Sequence, residues 1–385
     1  MTNNLFPVTD ISNGQEWRNA GFTNTAPLSL LVKFRNEQNE DLDAQYLSLL
    51  REKGVMRYED KGAVGNRKPE DLTRTKKVHE GDIIVNSMNF WIGSYGISPF
   101  DGVVSTVYHI ISPDESKLDA RYLNYWFGVQ EFRNQAQNMG NGILPHRRSI
   151  AQERFGAIRI PLPDLETQRR IADYLDKEIS EMDALIDNLE KLAASLECRK
   201  SLLVKDKLDS LNADTTQMGL FARFISGRDW SEVEDENGEY PVFGSGSQMG
   251  YANDYLYDGE AVIFGRKGTL NKPRRISGKF WVVDTAYVAV PNKHLDVNFF
   301  YYWSLILPFD LLSTQTAIPS MTATDLKLQQ IPIVPLEKQR EIADELDREF
   351  ERMDALIEES TKLIENLKAR KTALITEVVT GRKEV

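Results

Sequence analysis

Between Arg266 and Lys279 the chain places six basic side chains and no acidic one, in "RKGTLNKPRRISGK". Arginine and lysine pair with guanine edges or with phosphates, and asparagine pairs with adenine. Glycines at 265 and 268 let a backbone come close to a ligand. Arg266, Lys267, Thr269, Asn271, Lys272, Arg274 and Arg275 are therefore candidate DNA contacts. A second glycine-rich stretch, "FGSGSQMG" (243–250), lacks the strand–glycine–helix setting and the acidic partner of a dinucleotide site. It reads as a turn over a groove, with Ser245 and Ser247 as further candidates.

The first half of the chain offers basic and amide side chains of its own. "GNRKPEDLTRTKK" (65–77) holds Arg67, Lys68, Lys76 and Lys77. "NSMNFW" (86–91) follows an apolar strand as the Gly-Arg-Lys-Gly loop does, and supplies Asn86 and Asn89. "LPHRRS" (144–149) adds Arg147 and Arg148. Catalytic signatures are missing from the sequence. There is no P-loop, no His-Glu-x-x-His and no cysteine pair for zinc. The histidines at 79, 109, 146 and 294 share no ligand spacing. No Asn-Pro-Pro-aromatic or Asp-Pro-Pro-aromatic motif occurs, so the chain is not expected to transfer methyl groups itself. No catalytic residue, metal ligand or cofactor site is assigned.

The bulk numbers set the frame. The chain has 385 residues, 41% apolar and 27% charged, with a formal net charge of −11. This fits a globular protein of two or three domains. A strongly acidic total runs against nucleic-acid binding. The distribution qualifies it: residues 1–163 are balanced, with 19 basic and 19 acidic side chains, and the basic run at 266–279 stands alone. A single cysteine, Cys198, rules out an intrachain disulfide. The longest apolar run, Phe299 to Leu307, is too short to span a bilayer. "MTNNLFPVTD" has neither a basic n-region nor an apolar h-region, so no signal peptide is expected. The expected location is the cytoplasm, with no membrane partner.

Something must hold these loops, and the sequence names it by repetition. "LETQRRIADYLDKEISEMDALI" (165–186) returns as "LEKQREIADELDREFERMDALI" (336–357), an offset of 171 residues. Prolines 161, 163, 332 and 335 precede the two copies, where proline is tolerated at a helix start. In the first copy Leu175, Ile179, Met182, Ile186, Leu189, Ala193 and Leu196 step by alternating fours and threes. In the second, Leu346, Phe350, Met353, Ile357, Ser360, Ile364 and Leu367 do the same. That is the a/d seam of a coiled coil. Lys200 and Lys371 continue the two seams and are expected to fix register.

Each helix follows a block of short β-rich runs, and the blocks echo each other. "GDIIV" at 81 answers "GEAVI" at 259; "VSTVYHI" at 104 answers "VDTAYVAV" at 283; "DARYLNYWF" at 119 answers "DVNFFYYWS" at 296. The expected fold is mixed α+β with a pseudo-twofold internal duplication. Two α/β recognition domains, 1–160 and 212–335, are each followed by a long helix, 161–211 and 336–385. The two helices are expected to pack as an antiparallel coiled coil.

At this point the chain resembles the specificity subunit of type I restriction–modification systems. "PLPDLETQRRIADYLD" (161–176) and "VPLEKQREIADELDREFERMDALI" (334–357) look like that family's two conserved regions. "YPVFGSG", "GYAND", "AVIFGRKGTL" and "GKFWVVDTAYV" are similar to its second recognition block. In the first block "NSMNFWIGSYG" stands where the second has the Gly-Arg-Lys-Gly loop. The resemblance implies two target-recognition domains that each read one half of a split double-stranded DNA site, with the helices setting the gap. It implies two methyltransferase subunits docked on this chain, carrying the S-adenosylmethionine, and endonuclease/translocase subunits joining them. It implies that this chain catalyses nothing. A competing reading from the residues is a non-catalytic two-domain adaptor that binds protein or glycan partners.

Overall fold

The computed structural model describes residues 24–51, 53–64, 67–141, 149–314 and 317–385. The chain divides into two compact units. One is built from the described residues up to Asp187 together with Ile364–Val385; the other is Asn188–Leu363. Two long helices, Leu165–Asp209 (the central helix) and Leu336–Val379 (the C-terminal helix), each contribute to both.

The first unit starts with β1 (Thr25–Pro27), β2 (Val32–Arg35), β3 (Leu47–Leu50), β4 (Gly54–Arg57) and β5 (Thr75–Val78). It continues with β6 (Ile83–Asn86), β7 (Tyr95–Ile97), β8 (Gly102–Ser105), β9 (Tyr108–Pro113) and β10 (Arg159–Pro161). Its main sheet has the order β2-β9-β6-β7. The second unit repeats the plan with β11 (Thr215–Gln217), β12 (Ala222–Ser226), β13 (Tyr240–Phe243), β14 (Gln248–Ala252) and β15 (Tyr257–Asp258). After these come β16 (Ala261–Gly265), β17 (Arg274–Ile276), β18 (Lys279–Val282), β19 (Ala286–Pro291) and β20 (Gln330–Pro332). The corresponding sheet is β12-β19-β16-β17. In each unit a short antiparallel pair, β1 with β10 and β11 with β20, closes the domain just before its long helix.

The register corrects two of the three echoes. Ile83 faces Ile111, and Val262 faces Ala289. Pro113 and Pro291 end the matching ladders on β2 and β12. Ile83 therefore corresponds to Val262, and His109 to Tyr287, each one residue away from the sequence match. A one-residue slip turns a strand's side chains to the opposite face, so burial rather than letter identity chose the register. The third echo holds: Asp119 and Asp296 each cap the helix that follows, accepting from two backbone N–H groups.

Those capped helices, Ala120–Gly128 and Val297–Leu305, bury their aromatic faces. Tyr122, Trp126 and Phe127 are buried in the first unit, and Phe299, Phe300 and Trp303 in the second. Each is pinned to its long helix by the same glutamine. Gln168 accepts from the Asp119 N–H at 2.9 Å and donates to the Lys117 and Pro163 carbonyls at 3.0 and 2.9 Å. Gln339 accepts from the Asp296 N–H at 2.8 Å and donates to the His294 and Val334 carbonyls at 3.0 and 2.7 Å. Both side chains are buried, so each bond replaces one that water cannot make. A tyrosine reinforces each contact. Tyr125 donates to Asp176, and Tyr302 to Asp347, both at 2.6 Å. Burial first, and then the facing carboxylate, push both hydroxyls well above the ordinary tyrosine range.

The heptad seam is present as expected. All of its positions on both helices are buried or half-buried, with exposed positions between them. In the first unit Ile171, Leu175 and Ile179 share a core with Leu374, Val378 and Val379. In the second, Val204 and Leu208 share one with Ile342, Ala343 and Leu346. The contacts run antiparallel in each. In the first unit Tyr174 meets Lys383 and Asp183 meets Lys371; in the second Lys200 meets Asp354 and Lys207 meets Glu345. The repeat aligns Lys200 with Lys371 and Asp183 with Asp354, so one ion pair is made once in each unit. Burial opposes the charge on Lys200, but its hydrogen bond to Asp354 and the charge of Glu197 outweigh that and hold its ammonium above the ordinary lysine range.

Candidate nucleic-acid interface

In the second unit β16 is buried along its whole length and ends at Gly265. The chain then leaves the sheet, turns, and returns as β17. Gly265 permits the turn: a Cβ there would lie 2.1 Å from the Thr269 carbonyl oxygen. Gly268 has φ +85°, a left-handed conformation that favours glycine. The loop is fastened by its backbone. The amides of Arg266 and Lys267 both donate to the Thr285 carbonyl, at 2.8 and 3.1 Å. Gly268 N–H donates to the Pro319 carbonyl at 2.9 Å, and Met321 N–H to the Arg266 carbonyl at 3.0 Å. With the main chain so held, the side chains are free to face outward.

Three other segments meet this loop. The β13–β14 turn is joined by Arg274, whose guanidinium donates to the Ser245 carbonyl at 3.5 Å. The β18–β19 turn supplies Thr285 and the Asp284 carbonyl, which accepts from Arg266 at 3.3 Å. The stretch Ile318–Met321 closes the far side. Arg266 lies 5.8 Å over the Tyr287 ring and Arg274 5.9 Å over Phe243, so each stem is steered by an aromatic face. Burial lowers the pKa of Arg274, which still leaves it charged. Lys267, Asn271, Lys272 and Ser247 are exposed, while Thr269 and Ser245 are half-buried. One exposed carboxylate, Asp284, belongs to the same rim. The arrangement is a cationic lip on a rigid sheet end, able to meet a polyanion and to present amide and hydroxyl groups to base edges.

Arg275 does not join them. Its guanidinium donates to Asn298 Oδ1 at 2.7 Å and to both Asp347 oxygens at 3.2 and 3.4 Å, on the side of the C-terminal helix.

The first unit builds the corresponding place differently. Register equates Asn86 with Gly265 and Ser87 with Arg266. Asn86 Oδ1 accepts from the Met88 N–H at 3.0 Å, forming a tight turn. Phe90 and Trp91 are buried, and Phe90 packs edge-on against Phe127, Phe132 and Phe155. A large aromatic plug anchors this loop, where its counterpart buries the smaller Leu270 beside its backbone bonds and glycines. Ser87 still receives the later segment, since Ile150 N–H donates to its carbonyl at 3.1 Å. His109 Nε2 donates to the Ile150 carbonyl at 2.8 Å, as Tyr287 does to Met321 at 3.4 Å. Lys76, half-buried on β5, donates to the Tyr108 carbonyl at 3.1 Å, beside Asn86; burial lowers its pKa. Asn89 is exposed on the loop, and Lys77 is half-buried on the same strand as Lys76. Arg67 and Lys68 lie apart on an exposed segment, Lys68 near Glu59. Arg147 and Arg148 fall outside the described residues.

Sequence reading missed the 318–321 segment, which completes the second unit's site from far along the chain; in the first unit it named 144–149, whose last residue adjoins Ile150. The signal at 318–321 was faint, an Ile-Pro at 318. Among the described residues no cluster of three or more His, Cys, Asp or Glu could hold a metal ion. Among them, too, no helix is long and apolar enough to cross a membrane.

Comparison with known proteins bears directly on this layout. Residues 38–193 and 225–366 match the type I restriction modification DNA specificity domain, one match to each block with its helix. The chain belongs to the type I restriction–modification specificity subunit family. A putative MjaX specificity subunit from Methanocaldococcus jannaschii is 25% identical over 369 residues, covering 84% of this chain and 83% of that one. The EcoprrI specificity subunit of Escherichia coli is 23% identical over 250 residues, 60% of this chain and 61% of the relative. Two solved structures share the fold. One comes from a study of assembly and conformational transition of a type I restriction–modification system, with TM-score 0.72 at 16% identity, covering 92% of this chain and 97% of that one. The other is the HsdS subunit of Thermoanaerobacter tengcongensis, with TM-score 0.52 at 17% identity, covering 93% and 96%. The mixed α+β specificity-subunit architecture is thus that of this chain.

Proposed function

We propose that this specificity subunit reads a split, asymmetric double-stranded DNA site, one half with each recognition unit. It carries no chemistry of its own. Methyltransferase subunits with S-adenosylmethionine, and endonuclease/translocase subunits, dock on it to methylate adenine or cut unmethylated DNA. The observation that carries the reading is the lip of the second unit, where four segments far apart in sequence converge to present Arg266, Lys267, Lys272 and Arg274 beside Ser245 and Thr269. Its counterpart holds neutral side chains at the matching positions, Ser87 for Arg266 and Met88 for Lys267. Different side chains on one backbone plan are what reading two different half-sites requires. The family's known members and the solved assembly support the partners.

The experiment is mapping of methylated motifs in cells with and without this chain, followed by binding of the assembled methyltransferase to duplexes of that motif. The expected motif is split and asymmetric. Changing Arg266 and Lys267 to Ala should weaken the second half-site, by about 1–3 kcal/mol for a lost base contact and with a salt slope smaller by about one for a lost phosphate contact. A continuous or palindromic motif would overturn the reading. So would unchanged affinity and salt dependence, and the adaptor reading would then stand.

A further inference from the structure

We propose that Arg275 is a positioning residue, part of a latch that ties the outgoing strand of the basic loop to the C-terminal helix. The inference rests on the proposed reading of DNA by the second unit. Arg275 sits on β17, one residue after Arg274, so its neighbour faces the lip while it faces away, as alternation along a strand requires. Its guanidinium is engaged on that other side. It bonds Asn298 at 2.7 Å and Asp347 at 3.2 Å, and lies 5.5 Å over the Tyr301 ring. Asp347 is itself held by the Tyr302 hydroxyl at 2.6 Å. Three elements therefore meet at one carboxylate: the loop's return strand, the capped aromatic helix and the long helix.

The first unit makes the related contact without its loop. Asp176, the repeat counterpart of Asp347, takes Tyr125 and Arg121, both from the capped helix, at 2.6 and 2.7 Å. The position matching Arg275 there is Ile97, on β7, which packs into the core. The second unit's loop buries Leu270 in its core where the first unit's buries Phe90 and Trp91, and among the described residues it is the second unit that also fastens its loop's strand to the long helix by charge. The latch adds to the anchoring that Leu270 gives the loop, where the first unit relies on the larger Phe90 and Trp91.

Three variants separate positioning from DNA contact: Arg275→Ala, Asp347→Asn and the double substitution. Asp347→Asn keeps an acceptor for Tyr302 and removes the charge that holds Arg275. The first measurement needs no DNA. Hydrogen exchange across Gly265–Ile276 should rise to a similar extent in all three variants. Exchange that stays at the wild-type level would overturn the latch. The second measurement uses the assembled methyltransferase and a duplex carrying its mapped motif. Both single variants should weaken binding about two- to fivefold, as loss of a half-exposed ion pair allows, with the double variant no worse and the salt slope unchanged. If Arg275 instead touches DNA, Arg275→Ala lowers the salt slope while Asp347→Asn leaves binding unchanged or tighter, and the proposal falls. Wild-type protein that binds no duplex at all would count against the reading of DNA, while the exchange result would still decide the latch.

Discussion

Gln339→Leu removes one side chain and strands three backbone groups. Leucine fills much of the same volume, so little cavity forms, and the cost is in the hydrogen bonds. The Asp296 N–H and the His294 and Val334 carbonyls all lose their partner. At about 1 kcal/mol for each bond, the loss is roughly 3 kcal/mol. It should act locally. The three groups lie where the capped helix Val297–Leu305 meets the start of the C-terminal helix, so the opening it favours is that of the second unit alone. With two units a single melting temperature is the wrong readout. Native-state hydrogen exchange resolves them. Amides of Phe299, Phe300, Tyr302 and Trp303, whose side chains are among the most buried in the unit, should exchange about a hundredfold faster. Those of Tyr122 to Phe127 should not change. Gln168→Leu should reverse the pattern. A change below about fivefold in the second unit, or equal changes in both, would refute the view that this glutamine is what joins each recognition domain to its helix.

The seam lysine should respond asymmetrically to loss of either partner. Asp354→Ala leaves Lys200 in the seam with Glu197 alone, at 3.4 Å, and should destabilise the second unit by about 1 kcal/mol, whereas Lys200→Met should be close to neutral, since Asp354 stays solvated; urea unfolding followed by exchange measures both. Gly265→Ala drives a Cβ against the Thr269 carbonyl and should abolish second-half-site binding while circular dichroism stays that of the wild type. His109 is held below its ordinary pKa of 6.5 chiefly by burial. The unfolded chain therefore binds the proton first, and the first unit's stability should be full above about pH 6.5 and fall as pH drops below it. His109→Gln should flatten that slope in pH-dependent unfolding.

The long helices were legible because their signal is local and made twice. A heptad seam is a property of neighbouring residues, so Leu175 to Leu196 and Leu346 to Leu367 declare a buried stripe before any partner is known. The echo that begins at Asp119 and Asp296 was legible as spacing, and the structure showed that both residues cap the helix that follows. The basic loop at 266–275 was legible as charge. What the tertiary structure alone decided was which residues share a place. Ile364–Val385 closes the core of the first unit, because an antiparallel helix returns the chain's end to where its middle began. Ile318–Met321 joins the lip through backbone bonds that no side chain announces. Strand register moved two echoes by one residue, because a period of two makes the wrong slip bury polar groups. The same alternation separated Arg274, at the lip, from Arg275, on the helix. Two adjacent arginines are identical to a sequence reader, and only the sheet gives them opposite faces.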